Sequence, residues 1–93
     1  MRFEWDEAKN RSNKRKHRVS FEEAQTVFWD ENARIIDDPD HSKEEERFIL
    51  LGLSGSLRLL VVSHTYRKRE SMIRIISARR ATRRESKIYR SKV

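Results

Sequence analysis

At 93 residues, with 40% charged residues, 35% apolar residues and a net charge of +7, the chain is read as a single domain over residues 1–93, with room for one sheet and a few helices. It has no cysteine, which excludes disulfide staples, thiolate nucleophiles and cysteine-bound zinc, and fits a reducing compartment. The apolar run Leu59 to Val62 is far short of the ~20 residues a membrane span needs, and Met1-Arg2-Phe3-Glu4-Trp5-Asp6 contains no signal-peptide hydrophobic region, so a soluble, cytoplasmic protein with no membrane partner is expected.

Asp6 is placed to cap a first helix running to about His17, with Lys14, Arg15 and Lys16 in its last turn, where cations complement the helix dipole. After a break at Arg18, Ser20-Phe21-Glu22-Glu23 has the spacing of a capping box, and Val19 and Ala24 that of a hydrophobic staple. Phe21, Ala24, Val27 and Phe28 then recur at helical spacing. Ala33 to Asp37 reads as a short strand, stopped by Pro39 and the polar loop Asp40 to Glu45. Arg47 to Leu53 is a second strand, Ser54-Gly55-Ser56 a turn, Leu57 to Tyr66 a third strand, Arg67 to Ser71 a charged hairpin tip, and Met72 to Ala78 a fourth strand. From Arg79 the pattern becomes helical. The expected architecture is α+β: two N-terminal helices, a four-stranded, mostly antiparallel sheet and a C-terminal helix.

Charge is segregated along this order. Residues 1–18 carry a net +4, residues 19–46 a net −8 and residues 47–93 a net +11, which makes nucleic acid the first partner to consider. Side-chain alternation puts Leu60, Val62, His64 and Tyr66 on one strand face. If the tip is the five residues Arg67 to Ser71, Tyr66 pairs with Met72, and His64 stands opposite Arg74 with Arg67 just beyond. An imidazole that exchanges protons near neutrality, beside guanidiniums that grip phosphate oxygens, suits cleavage of RNA, which supplies its own 2′-OH nucleophile and needs no metal or other cofactor. A strand histidine is more often structural, so both readings of His64 stay open here.

The run Arg79-Arg80-Ala81-Thr82-Arg83-Arg84 is the densest cationic patch, and a backbone-tracking helix for RNA is one reading of it, a solvated helix face the other. Lys16 is counted with Arg80, Arg83 and Glu85 among the RNA contacts, and Tyr89 either stacks on a base or lies against the sheet. His17 is read as a helix terminus, and Trp5 and Trp29 as core or interface anchors. His41 among Asp37, Asp38, Asp40 and Glu44 matches no metal cage, so no metal site is expected there.

Several of these runs resemble the BrnT family of toxins. They are Phe3-Glu4-Trp5-Asp6 with Lys9, Asn13 and Lys16-His17-Arg18-Val19-Ser20-Phe21; Asp37-Asp38-Pro39-Asp40-His41-Ser42 leading to Glu45-Glu46-Arg47-Phe48; Leu59 to Thr65; and Ile73-Arg74-Ile75-Ile76-Ser77-Ala78-Arg79-Arg80-Ala81-Thr82-Arg83-Arg84-Glu85 with Tyr89. The resemblance implies a RelE-like fold and a metal-independent endoribonuclease that arrests translation. It also implies neutralisation by a BrnA-type antitoxin whose complex binds operator DNA. The family's functional positions map onto His64, Arg67, Arg74 and Arg79, and beyond them onto Glu85 and Tyr89. The chain departs from the family at Arg18, where a glycine is usual and would suit a left-handed helix end. Two further readings use the same residues: a non-catalytic nucleic-acid-binding module, and an interaction protein whose charge binds an acidic partner.

Overall fold

The computed structural model describes residues 1–37, 46–67 and 71–91. Within them lie five strands, β1 (Arg2–Glu4), β2 (Arg34–Ile36), β3 (Phe48–Leu53), β4 (Leu59–Arg67) and β5 (Met72–Arg80), and three helices, α1 (Glu7–His17), α2 (Phe21–Gln25) and α3 (Arg83–Arg90). The helices expected at the N-terminus are present, and the second tightens into a 3₁₀ turn over Thr26–Trp29. The sheet is larger than expected. Its order is β1-β5-β4-β3-β2, and β1 runs parallel to β5 while the other pairs are antiparallel. Three residues are too few to show a period in sequence, and β1 exists because the edge of β5 offers it backbone partners.

Local signals explain where the helices begin. The Asp6 carboxylate accepts from the amides of Ala8 at 2.8 Å and Lys9 at 3.1 Å, capping α1. Arg18 closes α1 with a left-handed φ of 59°, its amide donating to the Lys14 carbonyl at 2.9 Å. Helix α1 is docked by asparagines rather than by an apolar stripe. The Asn13 amide donates to the carbonyls of Val19 at 2.9 Å and Ala78 at 2.7 Å, and its oxygen accepts from the Ala78 amide at 3.2 Å. Asn13 thus serves as a partner for the open edge of β5 past the end of β1. Asn10 accepts from the Phe21 amide at 2.8 Å and donates to Glu7 and Glu22.

The Ser20 hydroxyl caps α2 by accepting from the Glu23 amide at 3.0 Å, but the expected reciprocal bond is replaced. Glu23 turns instead to Arg58 and to the Ser54 hydroxyl, because a charge-assisted guanidinium fork outcompetes a single backbone amide. The complete capping box lies at α3. There the Thr82 hydroxyl accepts from the Glu85 amide at 3.1 Å and the Glu85 carboxylate accepts from the Thr82 amide at 2.9 Å.

Two apolar layers sandwich the sheet. Val19, Phe21, Ala24 and Val27 from the α1–α2 side pack on Leu50, Leu60, Val62, Ile75 and Ala78. On the opposite face Ile49, Leu51 and Val61 are covered by Ile36, Leu59, Ala81 and, from α3, Ile88 and Tyr89. Gly52 lets the Asp30 turn lie close on β3: a Cβ there would come within 2.9 Å of both Ala33 Cβ and Val27 Cγ1.

The β4–β5 register differs from the expected one. Arg67 pairs with Met72, Tyr66 with Ile73, Thr65 with Arg74 and His64 with Ile75; beyond an irregularity, Ser63 pairs with Ser77 and Val62 with Ala78, leaving Ile76 as the extra residue of a β-bulge. Strand β5 also runs to Arg80 instead of ending at Ala78, so Arg79 and Arg80 are strand residues and the helix starts at Arg83. The strand continues because Val61 and Leu60 still stand opposite them. The middle of the hairpin tip, residues 68–70, and the acidic loop around His41, residues 38–45, lie outside the described residues.

Candidate functional site

The one-residue difference in register decides which chemistry the hairpin presents. His64 falls on the face of Ile75 and Val62, and its side chain is fully buried. The ring stands edge-on to Phe28 at a centroid distance of 4.8 Å and to Tyr66 at 5.3 Å, with Phe48 tilted at 6.1 Å. Its Nδ1 lies 3.3 Å from the Val62 carbonyl, while Nε2 is buried without a hydrogen-bond partner among the described residues. Burial pushes the imidazole pKa down, against a smaller upward pull from the Val62 carbonyl. The expected His64–Arg74 pair is therefore corrected: the two side chains occupy opposite faces of the sheet, and the imidazole is a neutral core group.

Arg74 shares the other face with Thr65 on β4 and Glu4 on β1. Its Nη1 donates to Glu4 Oε2 at 3.2 Å, and Arg67 Nη1 lies 3.3 Å from the same oxygen. These side chains stay partly open to solvent, at 32% for Arg74, 52% for Arg67 and 29% for Glu4. The sheet thus assembles two guanidiniums about one carboxylate at a solvent-open edge. Backbone pairing thus puts Arg67 and Arg74 on one face, without His64.

Arg79 lies on the same face, five residues further along β5, or roughly 16 Å at about 3.3 Å per residue. It donates through Nη1 and Nη2 to the two Glu85 oxygens, both at 2.9 Å. That fork and the Thr82 bonds hold the Glu85 carboxyl down at about 2. Arg79 and Glu85 thus form a clamp joining the end of β5 to α3. The next residue, Arg80, points to the opposite face, consistent with its electrostatic pull on Glu23 near α2. The cationic patch Arg79 to Arg84, expected on a helix, is instead divided between the end of β5 and the start of α3, and the strand pleat sends Arg79 and Arg80 to opposite faces. Arg83 and Arg84 begin α3 and are exposed.

Tyr89 is tied down. Its hydroxyl donates to Asp30 Oδ2 at 2.7 Å, and burial with this bond pushes its pKa up to about 12. This anchors α3 and favours the sheet-packed alternative over base stacking. Lys16 and His17 are exposed in the last turn of α1, beside a shallow cavity of about 190 Å3 also lined by Lys9, Ile76 and Ser77, away from the Arg67–Arg74 cluster. Trp5 packs on Phe21 at 6.1 Å, while Trp29 is 65% exposed beside Phe3.

Glu4 was absent from the sequence-derived set. Its only signal is the alternation Phe3-Glu4-Trp5, apolar residues flanking an acid, too short to specify a strand. Among the described residues no group of three or more histidines and acids could hold a metal ion, and no helix is long and apolar enough to cross a membrane.

A sequence model described as the ribonuclease toxin BrnT of a type II toxin–antitoxin system matches residues 5–85. No protein of curated function matches the chain by sequence. Among solved structures, the 1.1 Å crystal structure of the Brucella abortus ribonuclease toxin BrnT is similar in fold, with a TM-score of 0.67 and 21% identity over 89% of this chain and 99% of that one. With a match spanning most of its length, this chain belongs to the BrnT family of ribonuclease toxins of type II toxin–antitoxin systems.

Proposed function

We propose that this protein is a metal-independent endoribonuclease of RelE-like architecture, which cleaves RNA and arrests translation in the cytoplasm until a BrnA-type antitoxin neutralises it. Operator DNA is contacted only through the antitoxin complex. The observation that carries the reading is the pairing of Arg67 and Arg74 on a solvent-open sheet face. Two adjacent guanidiniums match the non-bridging oxygens of a phosphodiester, and they gain strength as the phosphorane develops charge. The nucleophile belongs to the substrate: the 2′-oxygen attacks phosphorus, the bond from phosphorus to the 5′-oxygen breaks, and a 2′,3′-cyclic phosphate and a 5′-hydroxyl result.

In this scheme Arg67 and Arg74 hold the scissile phosphate and Arg79 steadies a neighbouring one. Arg83 and Lys16 add to the cationic field that gathers RNA, and Arg80 contributes only at longer range. His64 supports the sheet from the core and takes no part in proton transfer. The test uses the purified protein with end-labelled RNA in EDTA. New ends carrying cyclic phosphate are expected, and antitoxin co-purified with the protein abolishes them. A mobility shift without cleavage would instead support a non-catalytic binding module.

A further inference from the structure

With His64 in the core, the cleavage step lacks the proton acceptor expected from sequence. Among the described residues, several titratable groups lie near this sheet face or its ends. Asp6, whose charge feels Arg74, caps α1 through Oδ1, and Asp37 lies beside Glu85 at the α3 end. Glu85 has both oxygens committed to Arg79 and the Thr82 amide. The Tyr89 hydroxyl is committed to Asp30. Glu46 touches the face through its carbonyl, which accepts from the Thr65 hydroxyl at 2.8 Å, while its side chain is exposed and pairs with no arginine among the described residues. Glu4 is different: both guanidiniums contact Oε2, and Oε1 accepts no hydrogen bond among the described residues.

We propose that Glu4 is the proton acceptor of the cleavage reaction, its Oε1 taking the 2′-OH proton while Arg67 and Arg74 hold Oε2 and the scissile phosphate. The assignment rests on the ribonuclease reading above. Strand β1 is what makes it possible, since its parallel pairing sets Glu4 beside Arg74 on the outer face while Phe3 packs against the core and Ile73 is buried. Fixing one carboxylate oxygen aims the other, so the base needs no reorganisation when the ribose arrives. In the step, the 2′-hydroxyl proton passes to Glu4 Oε1, the 2′-oxygen bonds to phosphorus, and the 5′-oxygen leaves, taking a proton from solvent water. Glu4 then returns its proton to solvent, so no net proton is consumed.

Glu4→Gln keeps the shape and an oxygen acceptor for the arginines but removes basicity, whereas Glu4→Asp keeps a carboxylate on a shorter stem. Single-turnover cleavage of a short labelled RNA by each variant, with thermal unfolding in parallel, separates chemistry from folding. Glu4→Gln is expected to lose ~10²-fold or more in kcat with KM changed by less than about threefold, and Glu4→Asp to recover at least about tenfold of that loss. Wild-type rates in a folded Glu4→Gln protein would overturn the assignment and leave the ribonuclease reading intact. Faster cleavage would overturn it too, making the carboxylate an occupant of the phosphate seat. No cleavage by the wild-type protein would overturn both.

Discussion

Glu4, Glu23 and Glu85 each pair with arginine, and the three are not equivalent. Glu23 with Arg58, and Glu85 with Arg79, have both oxygens engaged, with side chains only 14% and 16% exposed. Each ties two parts of the fold together: α2 to the turn before β4, and β5 to α3. At the other end of the same sheet face, Glu4 offers one oxygen to two arginines and leaves the second open. Residue types alone do not separate a closed clamp from a cluster with an open carboxylate oxygen; the number of unsatisfied lone pairs and the solvent access do.

The contrast breaks first at the arginines. Arg74→Ala is expected to slow RNA cleavage by ~10²–10³-fold, or about 3–4 kcal/mol of transition-state stabilisation, with little loss of stability. Arg79→Ala should cost less than about tenfold in rate while lowering the melting temperature. Single-turnover rates and thermal unfolding of both proteins check this, and equal rate losses at the two ends would erase the distinction.

The second test concerns His64. Truncation to Ala is expected to destabilise by about 2–4 kcal/mol through the cavity left among Phe28, Phe48 and Tyr66. His64→Leu should keep near-wild-type cleavage, because it fills the space and removes the unpartnered Nε2. The pH dependence follows from the lowered pKa. As pH falls below about 6.5, the unfolded chain takes up a proton that the folded ring resists, so stability is lost on the acid side of that value. Denaturant melts of His64→Leu should lack this loss. A well-folded but inactive His64→Leu variant would return the imidazole to the chemistry.

A smaller effect is expected at the clamp. The Glu85 carboxyl is held at about 2 against an ordinary 4.5. Its contribution is present above about pH 4.5 and is lost as pH falls toward 2. Because Arg79 is 42% exposed, solvent screening reduces this to about 1–2 kcal/mol. Glu85→Gln should therefore lower stability at pH 7 and flatten the acid limb between pH 5 and 2, without an Arg74-like effect on rate.

How far the sequence carried the fold follows from the length of its signals. Asp6, Ser20 and the run Phe21, Ala24, Val27 placed two helices, because caps and helical spacing are local and redundant. The long apolar strands β3, β4 and β5 were legible for the same reason. Strand β1 was not, since its partner lies some seventy residues away and nothing within Arg2–Glu4 announces it. The His64–Arg74 pairing failed at the hairpin tip: counting across it assumed five residues, and a tip shorter by one set Arg74 opposite Thr65 and Ile75 opposite His64, leaving the ring on the core face of Leu60 and Val62. Arg67 and Arg74 survived that error because both lie on the outer face in the true register.

The smallest expected effect bears on whether the cationic end of α1 belongs to the scaffold or to the proposed RNA-binding face. Arg18 is held at φ 59°, a conformation costing roughly 1 kcal/mol or more for a residue with a Cβ, which glycine adopts freely. The contacts formed at this position are made by backbone: its amide to the Lys14 carbonyl and its carbonyl to Arg58 Nη2 at 2.9 Å. Both survive in Arg18→Gly. Removing one positive charge there forfeits little helix-dipole stabilisation, because Lys14, Arg15, Lys16 and His17 already crowd the last turn. The greater freedom of glycine in the unfolded chain offsets part of the relief. A net gain of roughly 0.5–1 kcal/mol, or about 2–6 °C in melting temperature, is expected. Calorimetry checks the sign, and a lower melting temperature would show that the Arg18 side chain holds more than its own turn. Cleavage by the same variant should be unchanged. A rate loss without destabilisation would instead put the end of α1 in contact with RNA, extending the reactive surface around the edge of β5 to Lys16.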